Sequence, residues 1–318
     1  MFDRGALEDA ARTVYQVLKP TPQYAWPLLA ERCGAEVWVK HENHTPVGAF
    51  KVRGGLVFMA GLAARGGLSQ GLVTATRGNH GQSLAFAGRH WGVPVTIVVP
   101  RGNSREKNAA MRALGAELVE SGRDFDAARQ TAARLARERG LMLAPSFHID
   151  LVRGVATYAR ELFTAVPGLD AVYAPIGLGS GICGLIAVRD LLGLRTRIIG
   201  VVAAGAACYA RSLEAGRAVP TESADTIADG MAVRVPDPEA LAIMQRGLER
   251  IVKVGDEEIA AAMRHYYTDT HNLAEGAGAA ALAALLSERE RMQGRRVGLV
   301  LSGGNVDLDL FTRLVGQS

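Results

Sequence analysis

The chain has 318 residues and a formal net charge of +4, its 36 basic and 32 acidic side chains scattered with no basic run, which excludes an electrostatic groove for nucleic acid. Hydrophobic residues make up 48% and charged residues 21%, the balance of a globular protein large enough for two modest lobes or one large α/β domain. Cys33, Cys183 and Cys208 form no CxxC or Cys/His spacing, and no apolar run reaches the length of a membrane span. The expectation is a cytoplasmic protein with no nucleic-acid or membrane partner.

Acids interrupt the apolar residues at the start of the chain, where Phe2, Leu7, Ala10, Val14 and Val17 fall near helical spacing. That pattern predicts an amphipathic helix rather than a signal peptide. Short apolar runs at 36–40, 72–76, 95–99, 171–176, 198–202 and 297–301 predict strands. Helices are predicted at 81–91, 103–114, 124–139, 151–166 and 257–269. Apolar strands alternating with helices imply a parallel-rich α/β fold with helices on both sheet faces. Residues 71–145 read as a compact βαβαβα unit, a small lobe inserted into a larger one.

Four segments carry chemistry, each beyond the carboxyl end of a strand, where open α/β sheets place ligands. In HENHTPVGAFKVRGG, residues 41–55, Lys51 stands at an apolar helix start and is one of only five lysines. A buried lysine has a lowered pKa and becomes a usable nucleophile or base, although by itself the segment reads more readily as a surface lysine beside Arg53. In TATRGNHGQSLAFAGR, residues 74–89, Gly78 frees the backbone at a helix start, and Asn79 and His80 add directional polar groups. A plain β–α turn is an equal reading there. In AVYAPIGLGSGICGL, residues 171–185, a strand feeds a glycine turn that opens a helix, the physics of a phosphate site. Gly179, Gly181 and Gly184 match GxGxxG, but a dinucleotide site needs an acid after the next strand, and Val202-Ala203-Ala204 supplies none. In VGLVLSGGNVDL, residues 297–308, Ser302 offers one neutral hydroxyl beside two glycines. Two lesser segments are TIADG, where Asp229-Gly230 marks a turn, and AEGAGAAALAAL, where Glu275 alone reads as a helix N-terminal acid.

Together these motifs resemble the fold-type II pyridoxal-phosphate (PLP) enzymes, within them the serine/threonine dehydratase and serine racemase branch. The resemblance runs from Thr21-Pro22 to the end of the chain. It implies a two-lobed architecture like the tryptophan synthase β chain, with a large PLP-binding domain from 1–69 and 147–318 and a small domain at 70–146. It implies further that Lys51 forms the Schiff base with the cofactor, Phe50 covers one ring face and Asn79 bonds the phenolic oxygen. Gly177, Leu178, Gly179, Ser180 and Gly181 would cradle the phosphate, Ser302 would face the pyridine nitrogen, and Gly230 and Glu275 would line the ring. Thr76, Arg77, Gly78, Asn79 and His80 would hold the substrate carboxylate. The implied reaction is abstraction of the α-proton of L-threonine or L-serine, loss of the β-hydroxyl, and release of a 2-oxo acid and ammonium. A neutral Ser302 weakens the electron sink and so favours prompt elimination. A homodimer is also implied.

The chain departs from that pattern at three places. Leu178 and Ser180 interrupt what is usually a run of glycines. Arg77 stands where racemases and many dehydratases carry a small residue, often serine, which argues against racemisation and predicts an anion partner. No acid follows the strand at 198–202, so no metal is expected there. The chain ends soon after SGGN, and no C-terminal regulatory domain is expected. Arg77 and the altered loop also admit the same chemistry on 3-phenylserine or 3-hydroxyaspartate. A β-replacement enzyme typically carries threonine where His80 stands, and a cofactor-storage module would have no use for this full set.

Overall fold

The protein, described by a computed structural model over residues 1–66 and 70–316, is built on two sheets. The strands in chain order are β1 Gln23–Ala25, β2 Glu36–His41, β3 Leu72–Ala75, β4 Val95–Val99, β5 Glu117–Glu120, β6 Met142–Leu143, β7 Ala171–Pro175, β8 Arg197–Ala203, β9 Arg250–Val254 and β10 Arg296–Leu301. Six form one sheet in the order β1-β2-β10-β7-β8-β9, and four form another in the order β5-β4-β3-β6. Only β1 runs antiparallel to its neighbour; every other described pairing is parallel. The domain boundary expected at Ser69 lies outside the described residues.

The period of two explains how the six-stranded sheet is covered. Val297, Leu299, Leu301, Tyr173, Ile199 and Val201 pack to one side, against the helices Pro27–Cys33, Asp256–Thr270 and Gly276–Ser287. Val300, Val172, Ala174, Ile198 and Val202 point the other way, against Ile149–Ala165, Ser180–Leu191 and Pro238–Gly247. The Gly276–Ser287 helix is apolar all round because ten of its residues are buried. The amphipathic helix expected at the N-terminus spans Arg4–Tyr15 and buries Leu7, Ala10, Ala11 and Val14. In the small sheet Leu72, Val95, Ile97 and Val99 share a core with the helices Lys51–Ala64 and Asn79–Trp91, while Val73, Ala75 and Val98 meet Phe125–Arg139.

The helix that carries Lys51 is fixed from two directions. Gly54 and Gly154 let it cross Ile149–Ala165 at backbone contact: a Cβ on Gly54 would lie 2.9 Å from the Leu151 carbonyl, and one on Gly154 would collide with that of Arg53. Arg53 thereby reaches a buried ionic cluster, 2.8 Å from Glu42 and 2.6 Å from Glu161, where Lys40 also pairs with Glu161 at 2.5 Å. Charges this deep persist only when paired and hydrogen-bonded on all sides. Thr21, Tyr15 and Thr157 complete the set.

Candidate active site

The motifs converge at the carboxyl ends of β3, β7 and β10, where open α/β sheets place ligands. The cleft between the two sheets encloses about 870 Å³ of empty space, part of it open to solvent. Every site residue expected from the sequence lines it: Phe50, Lys51, Thr76, Arg77, Gly78, Asn79, His80, Gly177, Leu178, Gly179, Ser180, Gly181, Gly230, Glu275 and Ser302.

The end of β10 sets Lys51 in place. Ser302 O accepts the Phe50 N–H at 3.1 Å, Gly48 O accepts the Gly304 N–H at 2.9 Å, and Ala49 bridges Gly303. Lys51 then opens its helix, with its carbonyl accepting from Ser83 Oγ at 2.6 Å. Its Nζ lies 5.0 Å from the centre of the Phe50 ring and 3.4 Å from Ser180 Oγ. Burial pushes the amine down to about 8, with Glu275 opposing the shift. Lys51 is therefore no surface lysine. It is a cleft amine with a large uncharged fraction at mildly alkaline pH.

The turn after β7 makes an anion nest. Gly179 adopts φ +107°, and a Cβ there would sit 2.6 Å from Met244 Cε, so both conformation and space require glycine. A Cβ on Gly177 would collide with the Gly230 carbonyl. The loop's carbonyls are turned outward and held: Leu178 O accepts from Tyr209 at 2.9 Å and Gly181 O from Tyr158 at 3.0 Å. The free N–H groups at the start of Ser180–Leu191 are left for an anion. Leu178 and Ser180 interrupt the glycine run without disturbing the turn, since the helix begins at Ser180.

The loop after β3 is organised by Thr76, whose Oγ1 accepts from Gly78 N at 2.9 Å. The helix starts at Asn79 rather than at residue 81, so Asn79 and His80 lie in its first turn. Burial, with Lys51 adding to it, holds the His80 imidazole down at about 3, so it is neutral, and its buried Nε2 has no partner. Arg77 forms no ion pair among the described residues, and its buried Nε is likewise unpartnered. Glu275 is not a helix-capping acid. Its Oε1 accepts from Asn79 Nδ2 at 2.6 Å, and its Oε2 lies 3.1 Å from Lys107 Nζ. Lys107 and Asp229 also line the cleft, and Tyr158 and Tyr209 hold its turn; of these only Asp229 falls in a motif, where it reads as a turn residue. The scarcity of lysine was a signal that applied to Lys107 as much as to Lys51.

A family model described as pyridoxal-phosphate dependent enzyme matches residues 14–303. The chain belongs to that family. Among PLP-dependent enzymes it is 32% identical to an L-threonine ammonia-lyase of Thermotoga maritima, over 98% of this chain and 77% of the relative. It is 30% identical to an L-threo-3-hydroxyaspartate ammonia-lyase of Saccharomyces cerevisiae, over 98% of this chain and 95% of the relative. Against a biosynthetic L-threonine dehydratase of Pasteurella multocida, 32% identical over 92% of this chain, it spans 58% of the relative's length. The structure of a processed threonine deaminase from Solanum lycopersicum superposes with a TM-score of 0.90, at 31% identity, over 99% of this chain and 94% of that one. The fold is that of the fold-type II PLP enzymes.

The cleft fits the family's cofactor on its own terms. An aldehyde needs an amine with an uncharged fraction, which burial gives Lys51. A phosphate needs a nest of N–H donors, which the turn at 177–181 offers beside that amine. A flat ring needs an apolar face and uncharged polar edges; Phe50, Ser302 and the neutral His80 supply them. No described helix is long and apolar enough to cross a membrane.

Proposed function

We propose that this enzyme is a dehydratase and ammonia-lyase acting on a β-hydroxy amino acid, L-threonine or L-serine. The observation that carries the reading is the meeting of a cleft amine of lowered pKa, Lys51, with an anion nest and a neutral Ser302 in one cleft. Lys51 and the turn at 177–181 would hold PLP, which would supply an electron-withdrawing system for negative charge at the substrate's α-carbon. As a free amine, Lys51 Nζ would accept the α-proton, its burial keeping it from being trapped as the cation. Ser180 Oγ is within reach of that nitrogen and of the nest, where a hydroxyl can pass a proton. Ser302 would offer the cofactor's ring edge a hydroxyl rather than a carboxylate, which would weaken its electron withdrawal and favour elimination. Thr76, Gly78, Asn79 and His80 would form the wall for the substrate carboxylate, and Gly230 would line the cofactor's ring. Collapse of the product in water yields a 2-oxo acid and ammonium.

Arg77 favours a second reading for the substrate, with 3-hydroxyaspartate in place of threonine or serine. Its partnerless guanidinium lines both the cleft and a neighbouring cavity of about 1960 Å³. A guanidinium so placed pairs with a carboxylate. We assign residues 1–69 and 147–318 to a large domain and 70–146 to a small one, in a cytoplasmic homodimer.

Cofactor-loaded protein is to be incubated with L-threonine, L-serine, 3-phenylserine and 3-hydroxyaspartate, measuring 2-oxo acid and ammonium together. Matched release from one of them is expected, and none from any would remove the lyase reading. With Arg77→Ala, loss confined to 3-hydroxyaspartate places the arginine on a substrate side chain. Equal loss with every substrate places it on the α-carboxylate.

A further inference from the structure

Lys107 has no part in the reaction described above, yet it lines the same cleft. It stands on the helix Arg105–Ala113 beneath the four-stranded sheet and reaches across to two carboxylates on segments of the other lobe. Its Nζ lies 2.6 Å from Asp229 Oδ2 and 3.1 Å from Glu275 Oε2. The side chain is 5% exposed, and its methylenes lie over Gly78, where any Cβ would collide with them. The pairing with two acids keeps the ammonium charged despite its burial, which removes Lys107 as a base or nucleophile.

The contacts continue beyond Glu275. Asn305 Nδ2 donates to Val47 O at 2.8 Å and to Asn79 Oδ1 at 2.9 Å. Both hydrogens of that amide are thereby used, so Asn79 must present its oxygen to Asn305 and its nitrogen to Glu275. The arrangement is strongest while Glu275 is ionised, because the bond from Asn79 is then charge-assisted and both carboxylate oxygens accept. Burial holds the Glu275 carboxyl above its ordinary range; Lys107 pulls it back down and Asp229 adds to the rise. Without the ammonium, two carboxylates would share a buried corner, and one would take up a proton.

We propose that Lys107 is a positioning residue: it holds Glu275 as an ionised acceptor, and so fixes the Asn79 amide with its second N–H free for the ligand of the cleft. The effect is electrostatic and passes through Glu275. It deepens the lyase reading, on which its place in catalysis rests, but it can be read on cofactor binding alone.

The test is a double-variant cycle of Lys107→Met, Glu275→Gln and the pair combined. The readouts are the PLP dissociation constant of cofactor-stripped protein and the pH titration of the loaded protein's visible absorbance. Lys107→Met is expected to weaken cofactor binding roughly tenfold or more and to shift the titration. Because Glu275→Gln removes the charge that Lys107 serves, the double variant should bind roughly tenfold more tightly than the product of the two single losses. Losses that simply multiply, or a Lys107→Met protein that binds and titrates like the parent, would overturn the proposal. If Lys107→Met does not stay folded, Lys107→Gln takes its place in the same cycle. Failure of every substrate to release ammonium would sink the lyase reading and leave this cycle to be read independently.

Discussion

Lys51 shows how one residue's chemistry follows from its surroundings. Its amine is lowered to about 8 because burial disfavours the cation and only Glu275 opposes it. A group with a depressed pKa is uncharged above that value, so the rate at which cofactor-stripped protein takes up PLP should rise with pH and level off above about 8. A rate that climbs on through the ordinary lysine range would contradict the burial argument. Arg53, two positions on, does the opposite job: it is charged, wholly buried and shared by Glu42 and Glu161. Arg53→Ala strands those carboxylates and should cost about 3–5 kcal/mol in denaturant unfolding, where a loss below about 1 kcal/mol would show that the cluster is not what anchors the helix. Lys51, Asn79, Glu275 and Ser302 were legible only through the family resemblance of their ordered motifs, since read alone Lys51 looks like a surface lysine and Glu275 like a helix N-terminal acid. Lys107 was not, because its meaning depends on Asp229 and Glu275, which are distant in sequence and meet it only in the fold.

Among the elements, the strands divide by position in the sheet. Those expected from the sequence, β2, β3, β4, β7, β8 and β10, match within a residue at each end, and their residues are almost all buried. The four that went unseen, β1, β5, β6 and β9, are the edge strands of the two sheets. An edge strand faces solvent along one side, so it is short or carries charges, as in Glu117–Glu120 and Arg250–Val254, and loses the apolar run that marks a central strand. The Gly276–Ser287 helix shows the same dependence on context. Its glycines admit close neighbours, and a Cβ on Gly278 would collide with the Gly303 carbonyl behind Ser302. Gly278→Ala should therefore push Glu275 and Ser302 apart, destabilise the protein by about 1–3 kcal/mol and weaken cofactor binding. Calorimetry and a cofactor titration on one sample check both effects, and unchanged affinity would show that the two motifs are not packed as described.

For the whole molecule, the cleft exists because two sheets with separate cores present their strand ends to each other. Contacts at its rim tie the two sides together: Asp307 accepts the N–H groups of Arg105 and Glu106, Glu106 accepts that of Leu308, and Arg234 pairs with Asp126 at 2.5 Å. The cysteines lie in the two cores of the six-stranded sheet, where burial pushes Cys33 up to about 12 and Cys208 to about 11 and raises Cys183 as well. Thiol reagents should leave all three untouched in native protein and modify them on unfolding. Rapid native modification of any one would mean that the core opens far more readily than its packing allows. The central claim, that the cofactor is held on Lys51, is tested most directly by borohydride reduction of the PLP-loaded protein followed by mapping of the modified lysine. With five lysines in the chain, the phosphopyridoxyl group should be found on the peptide containing Lys51. Its recovery on Lys107 or any other lysine would contradict the account of this cleft.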